Sequence, residues 1–255
     1  METLSTAKQN HIPRRIFQMA DLLIKKAPTQ ARGEAAKILL KHGVALGTFH
    51  AQVEASFDCS GSTEMREYGR HFYSKGYMNG VATAVLAMGL NLDDNGNVPA
   101  WRWSSDVKEL PAITAENLDG YVERYMPARS IDGGTYMSRA MEAMMRGFDP
   151  KSKDPGFAMI FTDGEASDKD RVETLLRQYS SKPVFWQFVG LEVPGASTDF
   201  GLLEELDNLS GRVVDNANFF RVNVHTVTYE DMWNRLIAEF KGYPNLIAGN
   251  SRVHW

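Results

Sequence analysis

The chain carries a single cysteine, Cys59, among 255 residues. No intrachain disulfide can staple it, and a lone thiol suits a reducing compartment. Long apolar runs are missing too. Nothing approaches the roughly 18 consecutive apolar residues of a membrane span, and the opening METLSTAKQNHI lacks the apolar centre of a secretory leader. There is no excess of positive charge: 28 Lys and Arg stand against 32 Asp and Glu, a net charge of -4. That balance argues against a general affinity for nucleic acid, which shows as a basic face. Neither GxGxxG nor GxxxxGK[ST] follows the first strand-like segment, so phosphate cradling lacks its usual loop. The six histidines, at 11, 42, 50, 71, 225 and 254, show no HExxH-like spacing, which argues against zinc. The expectation is a cytoplasmic protein with no membrane span.

What is present is an apolar share of 43% and a regular alternation of periodicities. Arg14 to Lys26, with Ile16, Ala20, Leu23 and Ile24 on one face, and Ala31 to His42, stopped by Gly43, read as two helices. They form a helical N-terminal extension over residues 1–47. From residue 48 strands and helices alternate. AQVEASFD (51–58), VPAWRW (98–103), VKELPAI (107–113), GFAMIFTD (156–163), PVFWQFVG (183–190) and GRVVD (211–215) read as strands. VKELPAI pairs back on its predecessor. Helices are expected over 68–90, 115–126 with Thr114 as N-cap and Asn117 completing the box, 135–146, 167–179 and 200–210. A last amphipathic helix places Tyr229, Met232, Trp233, Leu236, Ile237 and Phe240 on one face. The main domain runs over 48–243, and 244–255 reads as an irregular tail. Such alternation predicts an α/β fold, a doubly wound, mostly parallel central sheet flanked by helices. Sites in these sheets lie at the carboxyl ends of strands, where strand order reverses.

Three loops at such ends carry short oxygen-bearing side chains. FDCSGST supplies Asp58, Ser60 and Ser62 at i, i+2 and i+4. DGGT supplies Thr135 at a helix entry, and TDGE supplies Asp163 straight after a strand. Alone, the first loop also reads as an Asx/Ser turn capping a helix, and Asp163 as a helix cap. Together, two carboxylates and three hydroxyls make an all-oxygen set suited to Mg²⁺, with Mn²⁺ or Ca²⁺ as alternatives. If hydroxyls take most direct positions, the ion stays electrophilic and accepts one more strong ligand, a partner's Asp or Glu. Cys59 reads as a small residue in a tight loop, and Glu165 as a solvated neighbour. Trp101, Trp103, Trp186 and Trp233 read as packing residues.

D-x-S-x-S, a threonine after glycines, then T-D-G, in that order, resembles the metal-ion-dependent adhesion site (MIDAS) of von Willebrand factor A (vWA) domains. LNLDDNGNVP, FWQFVG, GRVVDNANFF and YEDMWNRLIAEF further resemble the tellurium-resistance TerF-like branch, over about residues 38 to 243. The resemblance implies a vWA/Rossmann-like fold. It makes Ser60, Ser62 and Thr135 direct metal ligands, with Asp58 and Asp163 acting largely through waters. It also implies an adaptor in a bacterial or phage tellurite or stress-resistance system. Thr63 departs from the methionine often found there, and the first strand carries Gln52, Glu54 and Ser56 where the family is apolar. A buried carboxylate needs a partner, so Glu54 is expected to pair with Arg102. The main reading is a metal-dependent protein-binding module without catalysis. The alternative is a Mg²⁺-dependent hydrolase of a phosphoester, which lacks a second metal cluster and a G-x-S-x-G elbow, the local order being Cys59-Ser60-Gly61-Ser62.

Overall fold

A computed structural model describes residues 21–255 apart from 24, 66–68, 165 and 197. Most of the expected helix from Arg14 to Lys26 therefore lies outside the described residues; within them, Asp21–Leu23 is a single 3₁₀ turn. Helix α1 spans Pro28–Lys41. Proline at its first turn loses no needed hydrogen bond there, and Gly43 stops it at φ +78°. Strand β1 is Gln52–Asp58 and α2 is Tyr77–Leu92. β2 is Asn97–Trp103, β3 Val107–Thr114, α3 Tyr121–Tyr125 and α4 Met137–Gly147. β4 is Gly156–Thr162, α5 Lys169–Tyr179, β5 Val184–Glu192 and α6 Gly201–Asp207. β6 is Ala217–Asn223, α7 Tyr229–Ile237 and α8 Tyr243–Ile247.

The six strands lie in the order β3-β2-β1-β4-β5-β6. All pairs are parallel except β2 with β3. Side chains alternate across the strands. Val53, Ala55 and Phe57 join one hydrophobic cluster with Phe157, Met159 and Phe161, under α1, α2 and α7. Ala158, Ile160, Trp186 and Phe188 join another under α4, α5 and α6. The doubly wound, mostly parallel α/β architecture with an N-terminal helix is therefore present. α1 packs on α2 and α7, and Ala31, Ala35 and Leu39 share the sheet's own cluster.

Four local readings are corrected. GRVVD is a turn, not a strand: Arg212 donates to the carbonyls of Leu209 and Asp207, and sheet pairing starts only at Asn216, whose carbonyl accepts from Trp186 N. The long helix starts at Tyr77 rather than 68, because residues 72–76 turn and Gly76 adopts φ +79°. Thr114 and Asn117 do exchange the reciprocal box bonds, at 2.9 and 3.3 Å. They close a turn, however, and the helix waits until Tyr121. The tail is not irregular at its start, since Tyr243–Ile247 is helical and Tyr243 is buried between sheet and helix.

Candidate metal centre

Strand order reverses between β1 and β4. β2 and β3 extend to one side of β1, while β5 and β6 extend to the other side of β4. The loops leaving these two central strands diverge to opposite faces and leave a crevice at the carboxyl end. Asp58 is the last residue of β1, and Asp163 follows the last residue of β4.

Four of the five expected residues are linked by hydrogen bonds in this crevice. Asp58 Oδ1 accepts from the backbone N–H of Ser60 at 2.8 Å, which folds the loop back on its own carboxylate. Asp58 Oδ2 accepts from Thr162 Oγ1 at 2.6 Å, tying β1 to β4. The Ser60 and Ser62 hydroxyls lie 3.0 Å apart. Ser62 Oγ donates to Asp163 Oδ1 at 2.9 Å. Thr135 sits half-buried on the loop before α4. That loop is stitched to both of the others: Gly61 N donates to Gly133 O, Asp132 N to Cys59 O, and Ser167 N to Thr135 O. Gly133 takes φ +92°, and a side chain there would collide with Ser105; such a backbone conformation favours glycine. Asp58, Ser60 and Asp163 are buried, whereas Ser62 and Thr135 are partly open. The site thus opens on its hydroxyl side.

Burial, and then the charge of Asp163, pushes Asp58 up, against the bonds from Ser60 and Thr162. Burial likewise raises Asp163, opposed first by the nearby Arg70 and then by Ser62. Both shifts disfavour the charged carboxylates, and nearby positive charge opposes them, as Arg70 does at Asp163.

The sequence reading missed Arg70. Its Nη1 donates to Asp163 Oδ2 at 2.9 Å, and its Nη2 donates to Thr198 Oγ1 at 3.0 Å. It lay inside what read as a helix, and no spacing rule marks it. Glu165 lies outside the described residues. Cys59 is buried, and burial pushes its thiol up to about 12, which disfavours the nucleophilic thiolate. Trp103, Trp186 and Trp233 are buried and Trp101 half-buried.

The Glu54–Arg102 pair is not formed. Arg102 stands opposite Phe57 in register, so it projects from the other face of the sheet and donates to Ser130 Oγ. Glu54 instead accepts from Trp101 Nε1 at 2.9 Å.

Among the described residues no three His, Cys, Asp or Glu side chains gather as a metal cluster. A cation here would depend on the hydroxyls. No helix among them is long and apolar enough to cross a membrane.

Comparison with known proteins agrees with the fold. A family model described as vWA-TerF-like, the vWA found in the TerF C terminus, matches residues 50–247. The Bacillus subtilis (strain 168) protein YcbR, described as uncharacterized, is 29% identical over 196 residues, covering 74% of this chain and 76% of its own. Among solved structures, an aerotolerance-related membrane protein from Bacteroides fragilis superposes with a TM-score of 0.54 at 16% identity, over 75% of this chain and 98% of that one. The SpRpn10 VWA domain superposes with a TM-score of 0.53 at 7% identity, over 73% and 94%. Proximal thread matrix protein 1 from the mussel byssus, with a zinc-occupied MIDAS motif, gives 0.52 at 15% identity, over 78% and 50%.

Proposed function

We propose, from the premise that this chain belongs to the vWA-TerF-like family, that it is a protein-binding module whose contact runs through a divalent cation. Ser60, Ser62 and Thr135 would hold the ion directly, and Asp58 and Asp163 would hold it through water. The observation that carries this reading is the linked set Asp58, Ser60, Ser62 and Asp163 at the strand-order reversal, opening on its hydroxyl side.

The donor set fits the ion. All five donors are carboxylate or hydroxyl oxygens, which suits Mg²⁺, with Mn²⁺ or Ca²⁺ as alternatives. Neutral hydroxyls leave the cation undercompensated, and a carboxylate from a partner protein is the natural further ligand. An adaptor is favoured over a hydrolase because both carboxylates are already held by hydrogen bonds, Asp58 by Ser60 N and Thr162 and Asp163 by Ser62 and Arg70, a positioning role rather than that of a free acid or base. The likeness to TerF supports a role in a tellurite or related stress system, and the lone cysteine supports a cytoplasmic setting.

The test is thermal unfolding of metal-stripped protein against added Mg²⁺, Mn²⁺ and Ca²⁺, with Ser62→Ala and Asp163→Ala beside it. Binding to the native state must raise the midpoint with concentration. A rise in wild type that both variants lose supports the site. A midpoint flat to millimolar metal, or one that rises equally in all three proteins, rejects it.

A further inference from the structure

Arg70 is 8% exposed, yet its guanidinium reaches the crevice and pairs with Asp163. Asp163 has two acceptor oxygens, and they are divided. Oδ1 takes the hydroxyl of Ser62, a residue of the metal set, and Oδ2 takes Arg70 Nη1. The same guanidinium holds Thr198, beyond β5, through Nη2.

The backbone around Arg70 is anchored. Arg70 N donates to Met65 O, and Phe72 N donates to Thr63 O. Glu64 Oε1 accepts from the N–H groups of Tyr73 and Ser74 at 2.6 and 3.0 Å. Phe72 and Tyr73 are buried. Any displacement of the guanidinium is therefore a side-chain movement about a fixed attachment point.

Charge balance sets whether a metal ion and Arg70 can share the crevice. Asp58 and Asp163 bring two negative charges when ionised, and Arg70 offsets one of them. A divalent cation entering beside Arg70 would leave the buried cluster with a net positive charge. It would also face a guanidinium across one shared carboxylate, a repulsion that low local polarity strengthens.

We propose that Arg70 is an internal counter-cation that competes with the divalent ion for Asp163. Metal uptake then releases the guanidinium from Asp163 and loosens its hold on Thr198, so occupancy of the ion site is transmitted to the loop after β5. This rests on the reading of Asp58, Ser60, Ser62, Thr135 and Asp163 as the metal set. It makes Arg70 the residue that sets how tightly the site takes its ion.

The experiment is calorimetric titration of Mg²⁺ and Mn²⁺ into the metal-stripped full chain, as wild type, Arg70→Gln and Thr198→Val. Arg70→Gln should bind either ion tighter by about tenfold or more, the size of an ordinary coupling between two sites. Thr198→Val, which only loosens the guanidinium, should gain less. Without metal, Arg70→Gln should melt below wild type. Equal affinity in wild type and Arg70→Gln overturns the competition while leaving the metal site standing. No binding in any of the three removes the metal site and this inference with it. Should Arg70→Gln fail to fold, the wild type decides: its ¹⁵N-labelled guanidinium signal, assigned with Arg70→Lys, should shift as Mg²⁺ saturates. A signal unmoved at saturation rejects the proposal.

Discussion

Glu54 is 2% exposed on a central strand, and its carboxyl is pushed up to about 8 by burial. The bond from Trp101 works against that shift, and the charge of Glu109 adds to it. A folded-state value above the unfolded one means the native protein holds a proton that the unfolded chain releases. Stability from this group is present below the unfolded value of 4.5 and is lost as pH rises toward about 8. Glu54→Gln keeps an oxygen for Trp101 and removes the titration. Its stability relative to wild type should therefore grow between pH 5 and pH 8, by on the order of 3 kcal/mol. Urea unfolding at both pH values measures this, and a difference that stays constant with pH contradicts it. At this scale the sequence showed that Glu54 needed a partner but not which one. The choice depended on register: Trp101 projects from Glu54's face and Arg102 from the other. The aspartate and serines of the crevice were legible because their spacing is local, i, i+2 and i+4. Arg70 was not, because a side chain brought in from a turn leaves no period.

Elements meet here through glycines as much as through large side chains. Gly80 lies in the first turns of α2, where alanine would ordinarily stabilise a helix by about 1 kcal/mol. A Cβ at Gly80, however, would come within 2.7 Å of Leu22 Cα and collide with the Leu22 carbonyl. Backbone cannot yield as a flexible side chain does. Gly80→Ala should therefore destabilise, by about 1–3 kcal/mol, the usual cost of overpacking. Gly33, in α1 with open space around it, should show the opposite sign on substitution by alanine, and chemical denaturation of the two variants compares them directly. A similar close approach explains Gly147 at the end of α4, where a Cβ would lie 2.9 Å from Glu54 Cδ. The one strand misplaced from sequence, β6, has a related cause. Its residues Asn218 and Asn223 are types that strands disfavour, so Val213 and Val214 in GRVVD read as the stronger signal. Asn218 is tolerated because its Nδ2 donates to Gln187 Oε1 and its carbonyl accepts from Gln187 Nε2, a cross-strand exchange that a single-strand pattern does not display.

Over the whole molecule, the alternation of strand and helix was enough to place the crevice, because a parallel sheet with helices on both faces admits few strand orders. What alternation could not show was how closely α1 belongs to that body. The family match begins at residue 50, which would allow the preceding helix to be a detachable appendage. Its packing argues otherwise. Ala31, Ala35 and Leu39 lie in the same cluster as Phe57 and Phe161 of the central strands, and α1 covers both α2 and α7. His42 on its C-terminal side bonds Asn234 of α7 at 2.8 Å. Leu39 is fully buried, so Leu39→Ala should cost about 2–5 kcal/mol, the range for emptying a leucine site in a packed core. If α1 is integral, that loss falls on the cooperative unit as a whole. Unfolding in a Trp233→Phe background followed by tryptophan fluorescence, which then reports on Trp103 and Trp186 under the opposite face, should move together with helix content followed by circular dichroism, in one transition at lower denaturant. A separate early loss of helix, with tryptophan emission unchanged, would instead make α1 an independent layer over a self-sufficient sheet.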